Sequence, residues 1–296
     1  MNLKNCDLCP RNCGVDRTKN VGFCGATDKI KAARAALHFW EEPCISGTRG
    51  SGTVFFSGCN LICSYCQNYN ISQGSYGKEI PPERLSEIFL ELQSQGAHNI
   101  NLVTPTPYLP QIIRAIDLVK HKIHIPFVFN MGGYEKPETI EILKDYADIF
   151  LTDVKYKSPD LAQRYSKAGD YFEYSIAALD KMLSLCGKPF VDENGIMQSG
   201  VLVRHLVLPG CRKDSFDVLK CLKDRFGTDC FTLSLMSQYT PNGHLENFPE
   251  INRRITSFEY NSVIDEALKL GFDTAHVQEK SSAKEEYTPP FDLTGI

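Results

Sequence analysis

From Thr53 onward, short apolar runs alternate with segments of helical period, and no other feature of the chain constrains the fold as strongly. Residues 54–56, 99–103, 125–129, 149–151, 201–208, 231–235 and 274–277 have the pattern of buried strands. Pro81 and Pro82 open a helix whose apolar positions Leu85, Ile88, Phe89 and Leu92 share one face, with Gly96 as its stop. Ile112, Ile113, Ile116 and Val119 mark the next helix, followed by helical stretches at 138–147, 159–186, 215–226 and 261–270. This α/β alternation predicts parallel strands with helical crossovers, covered on at least one face. A whole or partial β/α barrel and an open doubly wound sheet both satisfy it.

The 296 residues are 42% hydrophobic and 23% charged, which excludes a disordered or low-complexity chain and permits either one large core or two smaller ones. A net charge of −4 argues against a nucleic-acid partner. No apolar run approaches the roughly 18 residues of a membrane span, and the first twelve residues lack an apolar signal region. A cytoplasmic protein without membrane contact is expected. The composition is unusual in one respect: there are 12 cysteines, eight of them within the first 66 residues. Clustered thiols in such a chain point to metal or redox chemistry rather than to disulfides. Three regions are expected: a Cys-rich metal-binding extension at 1–50, a core at 51–280 and an exposed C-terminal tail at 281–296. The stretch KIKAARAALHFW fits a short helix and an extended segment equally well.

Cys59, Cys63 and Cys66 follow the first strand of the alternation and precede a helix. In parallel α/β folds the loops after the strand C-termini carry the active site. Three thiolates spaced four and three residues apart can hold a four-iron cluster and leave one iron open to a ligand. The competing explanations are weaker. Chance packing does not account for three cysteines in eight residues, and a structural zinc needs a fourth ligand from Cys44, a histidine or the N-terminal group. A disulfide is disfavoured by the inferred compartment.

The string Gly58-Cys59-x3-Cys63-x-Tyr65-Cys66-x-Asn68 resembles the signature of the radical S-adenosylmethionine (SAM) superfamily, and within it the activating enzymes of glycyl radical enzymes. The whole chain is similar to the pyruvate formate-lyase activating enzyme-like group over about residues 1–280. That resemblance implies a partial (β/α)6 TIM-type barrel with a small Cys-rich N-terminal extension, a [4Fe–4S] cluster and SAM. It implies an oxidoreductase that takes one electron from a flavodoxin- or ferredoxin-type donor and cleaves the sulfonium. The 5′-deoxyadenosyl radical so formed abstracts hydrogen, in this group from a glycine of a partner enzyme. Hydrogen abstraction from a small molecule or a peptide is the alternative, and a non-enzymatic iron–sulfur electron carrier is a third reading.

Asp153 and Lys155 lie two apart at a strand end and so face one way, suited to a zwitterion, a ribose or a plain ion pair. They resemble the family's D-x-K motif, which contacts SAM. Arg204 interrupts an apolar strand and needs a partner there. That partner is either a core carboxylate or, by the resemblance, the methionine carboxylate of SAM. Its neighbour His205 faces the other way and is expected to be packed. Asn130, followed by Gly132 and Gly133, fits a plain tight turn equally well and loosely resembles a family turn that approaches the cofactor. Tyr65 joins the cofactor-binding set through the signature, and Gln238 and Tyr239 stand where relatives often carry a histidine. The chain departs from the family after its second strand: Thr104-Pro105-Thr106-Pro107 replaces the usual Gly-Gly-Glu. Carbonyls or threonine hydroxyls must then take over the amino-group contact.

Cys6, Cys9, Cys13 and Cys24 form a second set, with gaps of 3, 4 and 11. Four cysteines complete a closed shell for zinc or for a second iron–sulfur cluster, and the spacing does not choose between them. The remaining cysteines, including Cys44, are scattered and read as packed thiols.

Overall fold

A computed structural model describes residues 1–278 and 288–296. Its strands are β1 (Ile30–His38), β2 (Ser51–Phe56), β3 (Lys78–Ile80), β4 (Ile100–Val103), β5 (Phe127–Met131), β6 (Ile149–Asp153), β7 (Phe190–Val191), β8 (Met197–Leu206), β9 (Thr232–Met236) and β10 (His276–Val277). The helices are α1 (Pro43–Ser46), α2 (Tyr69–Ser72), α3 (Pro82–Ser94), α4 (Leu109–Val119), α5 (Pro137–Glu141), α6 (Pro159–Ser166), α7 (Tyr171–Cys186), α8 (Arg212–Phe226) and α9 (Ser257–Lys269). The sheet runs β10-β9-β8-β6-β5-β4-β2-β1-β3, with β7 beside β8. From β2 to β10 along that path every pairing is parallel, while β1 and β3 are antiparallel. This is the α/β fold of a partial barrel, left open between β10 and β3. No helix among the described residues is long and apolar enough to cross a membrane.

One face of the strands, with Val54, Leu102, Phe129, Phe150, Val203 and Leu233, packs on the helices. Leu85, Ile88, Phe89 and Leu92 of α3 lie in that layer, as their spacing predicts. On the other face Val128, Ile149, Leu151 and Leu202 meet Cys44 and Ile45 of α1, which plug the N-terminal end of the barrel. The alternation of side chains therefore closes one end with apolar groups and leaves the strand C-termini to polar ones.

Several sequence expectations change here. The undecided segment becomes strand β1, with Ile30, Ala32, Ala33 and Ala35 all buried, because pairing with β2 and β3 overrides the helix preference of alanine. Residues 30–38 thus belong to the main sheet. The helix predicted over 159–186 is two helices, broken where Lys167 takes a left-handed conformation (φ 50°). The helix predicted over 138–147 ends at Glu141 and continues only as turns. Part of the tail expected at 281–296 lies outside the described residues, but 288–296 are not a free tail. Thr294 and Leu293 exchange backbone hydrogen bonds with Ala35 and Ala33, and Asp292 pairs with Arg34 at 2.7 Å. These contacts cover the edge of β1 beyond its pairing with β3, where unpaired backbone groups would otherwise face water.

The α1 plug generates a stability prediction. Ile45 is fully buried against β5, β6 and β8, so Ile45→Ala should cost about 2–5 kcal/mol in urea unfolding. A loss below about 1 kcal/mol would show that the plug does not carry the floor of the barrel.

Candidate metal and cofactor site

The loop after β2 begins with Gly58, whose φ of +86° and close approach to Cys24 exclude a side chain. A Cβ there would stand 2.6 Å from the Cys24 carbonyl oxygen. Cys59, Cys63 and Cys66 then face one cavity of about 220 Å³ at the C-terminal ends of the strands. Each sulfur has polar company: the Leu61 N–H donates to Cys59 Sγ (3.4 Å), which also lies 3.9 Å from Asn60 Oδ1, Ser72 Oγ donates to Cys66 Sγ (3.3 Å), and Ser166 Oγ is 3.0 Å from Cys63 Sγ. Burial pushes all three thiols up, and Cys63 raises Cys59 and Cys66 further while Lys155 opposes. Thiols so placed release their protons together only around a positive centre, which is the property required of an iron–sulfur ligand set.

The same cavity is lined by Asn130, Asp153, Lys155 and Arg204. With Tyr65, the cavity thus gathers five of the residues that the sequence nominates beside the cysteine triplet. Their convergence follows from register: Asp153 of β6 is paired with Arg204 of β8, and Asn130 lies one residue before the end of β5 on the adjacent strand. Arg204 Nε donates to Asp153 Oδ1 (2.9 Å), Nη2 to Asn130 Oδ1 (2.8 Å) and Nη1 to Glu41 Oε2 (3.2 Å). Lys155 Nζ donates to the second Asp153 oxygen. All three nitrogens of the guanidinium are thus taken by protein acceptors. Burial alone would raise the Asp153 carboxyl, but Arg204 and Lys155 outweigh it and hold it below the ordinary range. Burial likewise works against Lys155, and Asp153 with Cys63 outweighs it and raises the ammonium. The Asp153–Lys155–Arg204 cluster is charged in the folded protein.

The other nominated residues divide. The Tyr65 ring lines the cavity, but its hydroxyl points down to Tyr156 (2.5 Å), which continues to Ser166 Oγ (2.9 Å). Gln238 lines the cavity, whereas Tyr239 turns into an aromatic layer and donates to the Ile251 carbonyl (2.7 Å). Thr104 lines the cavity with a φ of +59°, while Thr106 Oγ1 donates to the buried Glu135 (2.9 Å). Burial raises Glu135 to about 7. His205 is packed, its two ring nitrogens meeting the Val154 carbonyl (2.7 Å) and Ser215 Oγ (2.8 Å). Among the wall residues that were not anticipated are His38, Trp40 and Glu41, delivered by the end of β1 and the turn after it. The acidic pair Glu41 and Glu42 just before Pro43 was the available signal, legible only once β1 is known to be a strand.

The N-terminal set surrounds a separate, much smaller cavity lined by Cys6, Cys9, Cys13 and Cys24. In neither set do three ligand-type side chains already stand close enough to hold a single metal ion, among the described residues.

Comparison with known proteins places this geometry in a family. The model of the Radical SAM superfamily matches residues 53–196, which run from within β2 through the cysteine loop to β7. The chain is 30% identical over 284 residues to an uncharacterized protein of Methanocaldococcus jannaschii, MJ0674, covering 92% of this chain and 76% of that one. In fold it is similar to the [FeFe]-hydrogenase maturase HydG from Carboxydothermus hydrogenoformans, with a TM-score of 0.52, 14% identity, and coverage of 80% of this chain and 59% of that one. It is also similar to Streptococcus suis SuiB bound to its precursor peptide SuiA, with a TM-score of 0.51, 11% identity, and coverage of 75% and 46%. The chain spans about half the length of these two solved proteins.

Gly133 locks the tops of β5 and β6 together. At φ +80°, a Cβ would stand 2.0 Å from the Asp153 carbonyl oxygen and 2.5 Å from the Tyr171 hydroxyl. Gly96 shares the left-handed conformation (φ +87°) but has open space around it. Gly96→Ala should cost only about 1 kcal/mol, and Gly133→Ala at least twice that in chemical unfolding. Equal losses would show that the close approach to Asp153 is not tight.

Proposed function

The chain belongs to the radical SAM superfamily, and from that premise we propose that it is an oxidoreductase that cleaves SAM reductively and abstracts hydrogen, with a glycine of a partner enzyme as the hydrogen donor. Membership of the family implies a [4Fe–4S] cluster and SAM. The observation that supports the assignment is the single cavity shared by the three sulfurs and by Asn130, Asp153, Lys155 and Arg204.

When bound, the cluster and SAM supply one-electron cleavage of the sulfonium, giving methionine and a carbon radical that takes a hydrogen atom from the substrate. The residues of this chain do the rest. Cys59, Cys63 and Cys66 would hold the cluster, with Ser166 and Ser72 orienting two of the sulfurs. Asp153 and Lys155 present opposite charges toward the cavity, one to an ammonium or ribose hydroxyl and the other to a carboxylate. Arg204 offers a planar fork at the same height, shared with Glu41 until a ligand carboxylate competes for it. Trp40 stands at the wall of the cavity and is half exposed, so it presents an indole face at the mouth. The glycine assignment is supported by the signature from Gly58 to Asn68. A flavodoxin- or ferredoxin-type electron donor and a cytoplasmic location complete the proposal.

After anaerobic reconstitution, the wild type should bind about four irons at this site and form 5′-deoxyadenosine from SAM with a chemical reductant. Cys59→Ala/Cys63→Ala/Cys66→Ala should do neither; cleavage retained in this variant would refute the assignment. With a candidate glycyl radical enzyme present, electron paramagnetic resonance should show the glycyl doublet. Deoxyadenosine formed without any doublet, but with a modified peptide or small molecule, would remove the glycine assignment and keep the chemistry.

Hydrogen bonds to cluster sulfurs favour the reduced state. Ser166→Ala removes the hydroxyl 3.0 Å from Cys63 Sγ. Its cluster midpoint, followed by paramagnetic resonance in a redox titration, should move to more negative potential, and Ser166→Thr should restore it. An unchanged midpoint in the alanine variant would show that Ser166 only fills space.

A further inference from the structure

The N-terminal cysteines carry an inference separate from the SAM site. All four line one cavity of about 10 Å³, room for a single water-sized sphere. One ion is close in size to that space, whereas a cubane core of eight atoms would require the surrounding chain to open. The second observation is a buried charge. Arg17 is 1% exposed and has no carboxylate partner among the described residues. Its guanidinium donates to the carbonyls of Ala26 (3.2 Å) and Thr27, and Nη1 lies 4.0 Å from Cys6 Sγ. A guanidinium removed from water needs an anion. Four thiolates around a divalent ion carry a net charge of two minus, and they supply that anion where four neutral thiols would not.

We propose that Cys6, Cys9, Cys13 and Cys24 form a closed tetrathiolate zinc site, and that this site holds the backbone of Gly58 and Cys59 in place. The four side chains line one space without yet standing at ligand distance of a common point, so binding the ion draws them together. The link to the cluster loop is direct: the Cys59 N–H donates to the Cys24 carbonyl (3.1 Å), and Gly58 lies flat against the same oxygen. Arg11, between Cys9 and Cys13, donates to the carbonyls of Asn60 (2.9 Å) and Ser166 (3.0 Å). A metal that orders residues 6–24 therefore orders the neighbours of Cys59 and Cys63. The zinc site stands apart from the proposed radical chemistry, and only its supporting role rests on that reading.

Metal analysis of the full chain, purified anaerobically, tests the site. The wild type should carry about one zinc in addition to cluster iron. Cys59→Ala/Cys63→Ala/Cys66→Ala should keep the zinc and lose the iron, while Cys9→Ser/Cys24→Ser should lose the zinc. Wild type that holds no zinc, or that fills both sets with iron, would overturn the proposal. Should the double serine variant fail to fold, hydrogen exchange on wild type before and after zinc chelation decides the supporting role. Exchange at the Cys59 amide should become at least about tenfold faster on zinc removal, and return when zinc is restored. An unchanged rate would overturn it.

Discussion

Strand alternation governs the chemistry of this molecule. Along β5, β6 and β8, the residues facing the barrel interior run from Val128, Ile149, Leu151 and Leu202 at the floor to Asn130, Asp153 and Arg204 at the top. Two residues of travel along a strand convert an apolar layer into a charged one. The parallel register then sets Asp153 opposite Arg204 without help from any loop. Charges so buried cost several kcal/mol each unless paired, and removing one partner of such a pair typically costs about 3–5 kcal/mol. Arg204 therefore ties β5, β6, β8 and the end of β1 at one height, and the floor of the cavity inherits the rigidity of the sheet.

Much of this was legible in the sequence because it depends on short periods. The alternating strands and helices, the Asp153-x-Lys155 spacing and the isolated Arg204 all depend on neighbours two to four residues away. What escaped depends on distant partners. The Ala-rich stretch before Trp40 has no strand signature of its own, and β2 and β3 make it a strand. Glu41 was invisible as a wall residue for that reason. The last residues look like a polar tail, but Leu293 and Thr294 complete the hydrogen bonding of β1. The break between α6 and α7 turns at Lys167, and its only local signals, Gly169 and Asp170, lie two and three residues further on. That break nevertheless ends α6 at Ser166, beside Cys63.

The cysteine loop is itself the least locally determined part of the site. Residues 57–68 contain no regular element, so each stretch borrows its position from elsewhere. The Ser64 N–H donates to the Tyr165 carbonyl (2.8 Å), and Asn242 Nδ2 reaches the carbonyls of Ser64 (3.1 Å) and Cys66 (3.2 Å). Gln73 Nε2 donates to the Cys63 carbonyl (3.0 Å), and Asn60 Nδ2 to that of Tyr134. A ligand set needs this support, because thiolates placed by a loose loop sample geometries that a cluster cannot use. The cost of ordering the loop is distributed over contacts from the N-terminal segment, α6 and the region after β9.

Beneath the sulfurs lies a layer of tyrosines where aliphatic side chains would ordinarily suffice. Tyr65 touches Tyr156, Tyr165 and Tyr239, with ring centroids 6.5, 6.5 and 5.9 Å away. Their hydroxyls are not left unpaired: Tyr65 and Tyr156 bond to each other, Tyr165 donates to Glu250 (3.0 Å) and Tyr239 to a backbone carbonyl. Leucines would fill the volume and exclude water as well, but they would not orient Ser166. The chain Tyr65–Tyr156–Ser166–Cys63 aligns hydroxyl dipoles in a dry, low-dielectric layer, where successive hydrogen bonds reinforce one another. The layer therefore fixes both the position of the Cys63 sulfur and the polarity of its surroundings, and the second of these is what an aliphatic core cannot supply.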